Sequence, residues 1–214
     1  MPDTPTQRKR RIPQQSRSRE RVERILDTAA HLVVRDGVDQ LSTRHIAETA
    51  RVPVASLYQY FADKDDILLA LVERDIEEMD RRVAADLGAV DRLSVGSIVA
   101  TTMSAFVAVY RQRPAFVEIW LRGRTNQAIK VYGREHNKRI AHELFAFAQG
   151  LGLVTSAGDQ QIAEIAVEMG DRLFQLAFES DIDGDATVLQ EAVKVVTTYL
   201  ELYATDAGIS GVPA

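Results

Sequence analysis

Residues 41–64 read LSTRHIAETARVPVASLYQYFADK, and the fold turns on how this stretch punctuates itself. Ser42 stands one step before Thr43-Arg44-His45-Ile46-Ala47-Glu48-Thr49-Ala50, where its hydroxyl is placed to cap the free amides of a short helix. Arg51-Val52-Pro53 makes a turn. Pro53 opens the next segment, where its missing N–H costs nothing, so Val54 to Tyr60 is predicted as a second short helix. Two short helices joined by a tight turn have the geometry of a helix-turn-helix, in which the second helix enters the DNA major groove.

The flanking sequence supplies the packing partners. From Ser16 to Asp36, residues Val22, Ile25, Leu26, Ala29, Leu32 and Val33 recur at helical spacing on one face, and Gly37 stops the helix. Ile46, Ala47 and Ala50, with Val52, Leu57 and Phe61, are predicted to pack against Leu26, Ala29 and Val33. Left outside are Thr43, Arg44, Ser56, Tyr58, Gln59, Tyr60 and Lys64, the hydroxyls, amide and cations that DNA binding needs. Asp63 is placed to cap a long helix over 64–87. Further helices are predicted near 92–112, 114–122, 126–150, 159–180 and 185–204. The expected fold is all-α with about nine helices: an N-terminal three-helix helix-turn-helix domain over 16–64 and a C-terminal helical body over 65–214. Residues 1–15, with three prolines and few apolar side chains, are expected to be a mobile basic arm.

The 214 residues are 46% hydrophobic and 27% charged, which suits a folded chain that buries its own core. The absence of cysteine excludes thiolate catalysis, Cys-ligated zinc and iron–sulfur clusters. The net charge of -5 conceals an asymmetry: residues 1–64 carry 12 Lys and Arg against 8 Asp and Glu, whereas 65–214 carry 14 against 23. A basic head on an acidic body is expected of a chain presenting one end to a polyanion, although basic tails are also common as solvated tails. No apolar run approaches a membrane span and the basic start lacks a signal peptide's apolar region, so no membrane partner and a cytoplasmic location are expected.

No enzyme motif appears: there is no phosphate-binding glycine loop, dinucleotide fingerprint or nucleophile elbow. His136 and His142 are six residues apart, about 600° around a helix, which puts their rings on different faces. Asp181, Asp183 and Asp185 lack the downstream spacing of a calcium loop and read as an acidic turn. A protein without enzymatic activity, cofactor or metal is expected.

Residues from about Arg21 to Lys64 resemble the DNA-binding domain of the TetR family of transcriptional regulators. The likeness is carried by ILDTAAHLVVRDGVDQLSTRHIAETA and VPVASLYQYFADKDDIL, with STRHIA, then SLYQYF, then Lys64 three residues after Phe61. It implies phosphate contacts for Thr43, Tyr58 and Lys64, a base-edge reach for Arg44, and groove-facing positions for Val54, Ala55, Ser56 and Gln59. Lys and hydroxyl contacts position the protein without reading sequence, whereas Arg44 on guanine or Gln59 on adenine discriminates bases by about 1–3 kcal/mol each. One departure is Arg51, where the family commonly has glycine at a turn that favours positive φ.

Two late segments carry wide apolar stripes, Ile162, Ile165, Met169, Leu173 and Leu176 on one, and Val188, Ala192, Val195, Val196, Tyr199 and Tyr203 on the other. Periodicity leaves open whether they face a twin subunit or the chain's own core; the resemblance implies a four-helix homodimer interface and a palindromic operator in double-stranded DNA. Met103, Phe106, Tyr110, Phe116, Trp120, His142, Phe145 and Phe174 concentrate in the middle of the body. Such a set suits a cavity for a small, mostly apolar ligand and equally an ordinary core. The resemblance implies a repressor that leaves its operator when a small-molecule effector binds the body. The competing reading is a helical interaction or assembly module with nonspecific DNA association.

Overall fold

A computed structural model describes residues 16–123, 126–155 and 160–213; the arm expected over 1–15 lies outside them. Among the described residues the fold is all-α. It consists of α1 (Ser16–Asp36), α2 (Thr43–Thr49), α3 (Val54–Leu57), α4 (Lys64–Leu87), α5 (Val95–Gln112), α6 (Pro114–Phe116), α7 (Gln127–Gly150), α8 (Gln160–Ala177), α9 (Ala186–Glu201) and α10 (Asp206–Ser210). A 3-10 turn covers Val38–Gln40 and a π-helical turn Val117–Arg122. The chain forms two compact units that divide between Leu71 and Val72, within α4.

In the first unit, α1 buries Ile25, Leu26, Ala29, Leu32 and Val33, the face its periodicity predicts. Ile46 and Ala47 of α2, Ala50 and Val52 of the turn, and Leu57 and Phe61 beyond it are likewise buried. Helices as short as α2 and α3 are unstable in isolation, so this burial is what holds them. The expected caps are present: Ser42 Oγ accepts from the His45 amide at 3.2 Å, and Asp63 Oδ1 from the Asp66 amide at 2.9 Å. The segment expected to be helical through Tyr60 is regular only to Leu57. Beyond it the Tyr58 amide reaches back four residues to Val54 at 3.2 Å, but the Gln59 and Tyr60 amides reach back three, to Ser56 at 3.2 Å and Leu57 at 3.0 Å. The tighter i−3 bonding ends the α-helical run.

The second unit packs α8 against α7 and α9, and α9 against α5. Tyr110 is fully enclosed, its ring centroid 5.4 Å from Phe116, 5.5 Å from Phe174 and 5.3 Å from Phe178. The helix predicted from 92 begins at Val95, where Ser94 and Ser97 cap each other's amides. Arg92–Leu93 instead form β1, paired antiparallel with β2 (Val212–Pro213), and the Arg92 guanidinium donates to the carbonyls of Ser210 at 3.0 Å and Gly211 at 2.8 Å. This pairing and α10 join residues more than a hundred positions apart, so no local pattern announces them. The helix expected over 114–122 widens into its π turn after Phe116, and this turn carries Trp120. Gly133 of α7 receives the indole: a Cβ there would lie 2.6 Å from a Trp120 ring carbon.

The turn after α2 decides one question that the sequence raised. Val52 N–H donates to Ala47 O at 3.0 Å and Arg51 N–H to Glu48 O at 3.2 Å, the paired bonds of a Schellman helix stop. Arg51 accordingly takes φ 54°, the one positive φ of a non-glycine side chain among the described residues. The left-handed region costs an L-residue roughly 1–2 kcal/mol, and glycine's extra unfolded-state freedom offsets part of any relief. Arg51→Gly is therefore expected to stabilise the protein by up to about 1 kcal/mol in chemical denaturation, and Arg51→Val to destabilise it, since a β-branched residue fits that region worst.

Candidate nucleic-acid interface and cavity

Burial of the apolar sides of α2 and α3 leaves their polar sides outward. Arg44, Val54, Ala55, Tyr58 and Gln59 are exposed, whereas Thr43, Ser56, Tyr60 and Lys64 are half-buried. Thr43 Oγ1 lies 3.0 Å from the Tyr58 hydroxyl, tying the start of α2 to the end of α3. Tyr60 turns the other way, its hydroxyl 2.8 Å from Ser18 Oγ of α1. The pattern of outward residues did not single out Ser18. Arg44 Nε donates to Glu48 Oε1 at 2.9 Å, and this hydrogen bond and the carboxylate's charge raise the guanidinium's already high pKa. At 83% exposure this i,i+4 pair is solvent-screened and leaves the guanidinium accessible. Lys64 begins α4 beside the capping Asp63.

In the second unit, α4, α5, α7, α8, α9 and the π turn surround a cavity of about 120 Å³ with almost wholly apolar walls. Of the residues proposed for a ligand site, Met103, Phe106, Tyr110, Trp120, Phe145 and Phe174 line it. Phe116 stands outside the lining, its ring 5.8 Å from Trp120. His142 does not line it either; its Nε2 lies 2.6 Å from Glu164 Oε1. The polar lining is Thr102, His136, Asn137 and Asp171, of which His136, Asn137 and Asp171 did not figure in the sequence reading of a ligand site. For His136 and Asp171 a signal was available: each is a polar residue inside an apolar helical stripe, His136 between Ile129 and Ile140, and Asp171 beside Val167 and Phe174.

His136 Nε2 is 3.0 Å from Asp80 Oδ1, while Arg139 Nη2 donates to Asp80 Oδ2 at 2.8 Å. Burial pushes the Asp80 carboxyl up, but hydrogen bonds from His136 and Arg139 outweigh it and hold the group below its usual value. Asp171 behaves oppositely. Burial, reinforced by the charge of Glu168, pushes it up to about 6 despite hydrogen bonds from Gln175, at 2.8 Å, and Trp120. Burial and the Asp171 charge likewise push the Tyr110 hydroxyl well above its usual value, keeping it neutral.

The stripes expected at a dimer interface divide by burial. Ile165, Leu176 and Val195 are exposed, and Ile162, Met169, Leu173, Val188, Tyr199 and Tyr203 half-buried. Ala192 and Val196 turn into the chain's own core, Val196 against the cavity.

Because the folded protein holds the Asp171 proton more tightly than the unfolded chain, ionising this group weakens the fold. Its contribution is neutral below about 4, grows increasingly unfavourable as pH rises to about 6, and is constant above. Asp171→Asn is expected to stabilise the protein at pH 7 by on the order of 2 kcal/mol, with the gain vanishing near pH 4 in denaturation curves.

Comparison with known proteins agrees with both units. Residues 25–71 match the family model described as bacterial regulatory proteins, tetR family, and residues 93–204 match the tetracyclin repressor-like C-terminal domain. The HTH-type transcriptional repressor KstR of Rhodococcus jostii is 38% identical over 64 residues, a stretch spanning 30% of this chain and only 30% of that protein. The HTH-type transcriptional regulator BetI of Brucella abortus is 25% identical over 181 residues, 83% of this chain and 88% of that protein. The crystal structure of a TetR-family transcriptional regulator from Streptomyces coelicolor superposes with TM-score 0.70 at 30% identity, covering 86% of this chain and 99% of the other. The second match alone spans more than half of the sequence, and with the helix-turn-helix it places this chain in the TetR family of bacterial transcriptional regulators.

Proposed function

We propose that this regulator is a homodimeric repressor that holds a palindromic operator through its helix-turn-helix and releases it when a small apolar effector enters the cavity. The observation carrying the DNA-binding part is the outward polar side of α2 and α3, within the matched residues 25–71. In this reading Thr43, Tyr58 and Lys64 hold phosphates, Arg44 and Gln59 read base edges, and Val54, Ala55 and Ser56 face the groove. Tyr60, bonded to Ser18, sets the pose of this surface on α1. The repressor mode is supported by the likeness of the helix-turn-helix region to KstR, a transcriptional repressor. Effector release requires that the ligand bind the DNA-free state better than the operator-bound one.

The dimer reading is supported by apolar side chains left outside on the last two long helices, Ile165 and Leu176 on α8 and Val195 on α9, with Leu202 just beyond at 74% exposure. A two-fold pair would bury them and match a two-fold operator. Leu176→Glu combined with Val195→Glu is expected to yield monomers in sedimentation and to lower operator affinity by at least tenfold, since each half-site would then bind alone.

Selection from random duplexes, followed by competition at fixed salt, tests the central reading. Retention of a palindromic sequence is expected, and equal binding to all DNA would overturn it. With that operator, Tyr58→Phe and Lys64→Ala should weaken binding to matched and mismatched duplexes alike. Arg44→Ala should also relax preference at one position in each half-site, and a uniform loss from all three would refute the division of labour.

A further inference from the structure

Two residues that line the cavity each carry a buried polar atom with no hydrogen-bond partner, Thr102 Oγ1 and His136 Nδ1. The two residues are 7% and 4% exposed. Unpaired buried polar groups are costly, and two on residues lining one apolar cavity call for a ligand that pairs with them. Their chemistry has a direction. His136 gives its Nε2 proton to Asp80, so in the neutral ring Nδ1 carries a lone pair and accepts. Asp171, which also lines the cavity, adds a carboxylate acceptor, and Thr102 Oγ1 both accepts and donates. Among the described residues no Lys or Arg lines the cavity, and the nearby Arg139 is committed to Asp80 and Glu143. An anionic head would therefore sit beside a carboxylate with no cation to offset its desolvation. The size is equally restrictive, since an engineered apolar cavity of roughly 150 Å³ takes one benzene.

Building on the reading of this cavity as the effector site, the geometry points to an effector that is a compact apolar molecule with one hydrogen-bond-donating head, a hydroxyl or an ammonium, received by His136 Nδ1, Thr102 Oγ1 and Asp171. The apolar part packs among Met103, Phe106 and Phe174, and the head takes the place that a ketone, ester or carboxylate fills poorly.

Calorimetric titration of the full chain, without DNA, with four rings of equal heavy-atom count tests this. Cyclohexanol donates and accepts, cyclohexylamine is a cationic donor, cyclohexanone only accepts, and methylcyclohexane does neither. Cyclohexanol is expected to bind about three- to tenfold tighter than cyclohexanone and methylcyclohexane, the range of one net hydrogen bond. Cyclohexylamine binding tighter still, with the excess lost in Asp171→Asn, would assign the head as ammonium; cyclohexanol ahead would assign it as hydroxyl. Thr102→Val should weaken cyclohexanol severalfold and leave methylcyclohexane unchanged, while the four-ring comparison on the unaltered chain stands whether or not that variant folds. Cyclohexanone or methylcyclohexane binding as tightly as cyclohexanol, or no ring binding at all, would overturn the inference. Operator binding is measured separately, so a failure of the repressor reading is distinguishable from a failure of the ligand chemistry.

Discussion

Burial of the apolar sides of α2 and α3 in the core they share with α1 is the interaction on which the outward polar surface of the helix-turn-helix depends. Neither helix is long enough to repay its own nucleation, so their conformation is set by Ile46, Ala47, Leu57 and Phe61 entering a core with Ile25, Ala29 and Leu32. Once those side chains point inward, Arg44, Tyr58 and Gln59 have no choice but to point outward. The Schellman turn between the helices sets their angle, and it does so even with arginine in the left-handed position, because its two backbone bonds and the burial of Val52 offset the strain.

The second unit meets a different constraint, that of holding polar groups in an apolar interior. Asp80 meets it through two donors and remains ionised. Asp171 meets it incompletely, and Thr102 Oγ1 and His136 Nδ1 have no partner at all. Such imperfection is a cost to stability, and costs of this kind gather at binding sites, where a ligand supplies the missing partner. The widened turn carries Trp120 to the cavity wall, and the bare Gly133 behind it leaves room for the indole, which a Cβ there would meet at 2.6 Å.

Legibility differed between the two units for a physical reason. Along α1 to α4 the signals are local: a capping hydroxyl, a proline at a helix start, apolar residues at helical spacing. Each acts within a few residues, so the helix order, the buried face and the outward side chains could be read directly. Only the early end of α3 departed, where hydrogen bonds tighten to i−3 geometry. In the second unit helices and stripes were equally visible, yet periodicity does not say what a stripe faces. Met103 and Phe174 line the cavity, Phe116 from the same stretch lies outside its lining, and Val196, from a stripe that the sequence left open between a twin subunit and the core, faces the cavity.

The sequence by itself determined an all-helical chain, a helix-turn-helix with its inward and outward residues, and the absence of cysteine chemistry, because composition and short-range spacing carry that information. Only the tertiary structure decided which polar groups share the cavity, that Arg51 adopts the left-handed turn, and that β1 and β2 close the second unit. Those outcomes depend on contacts between residues distant in the chain, where burial and pairing are set by packing.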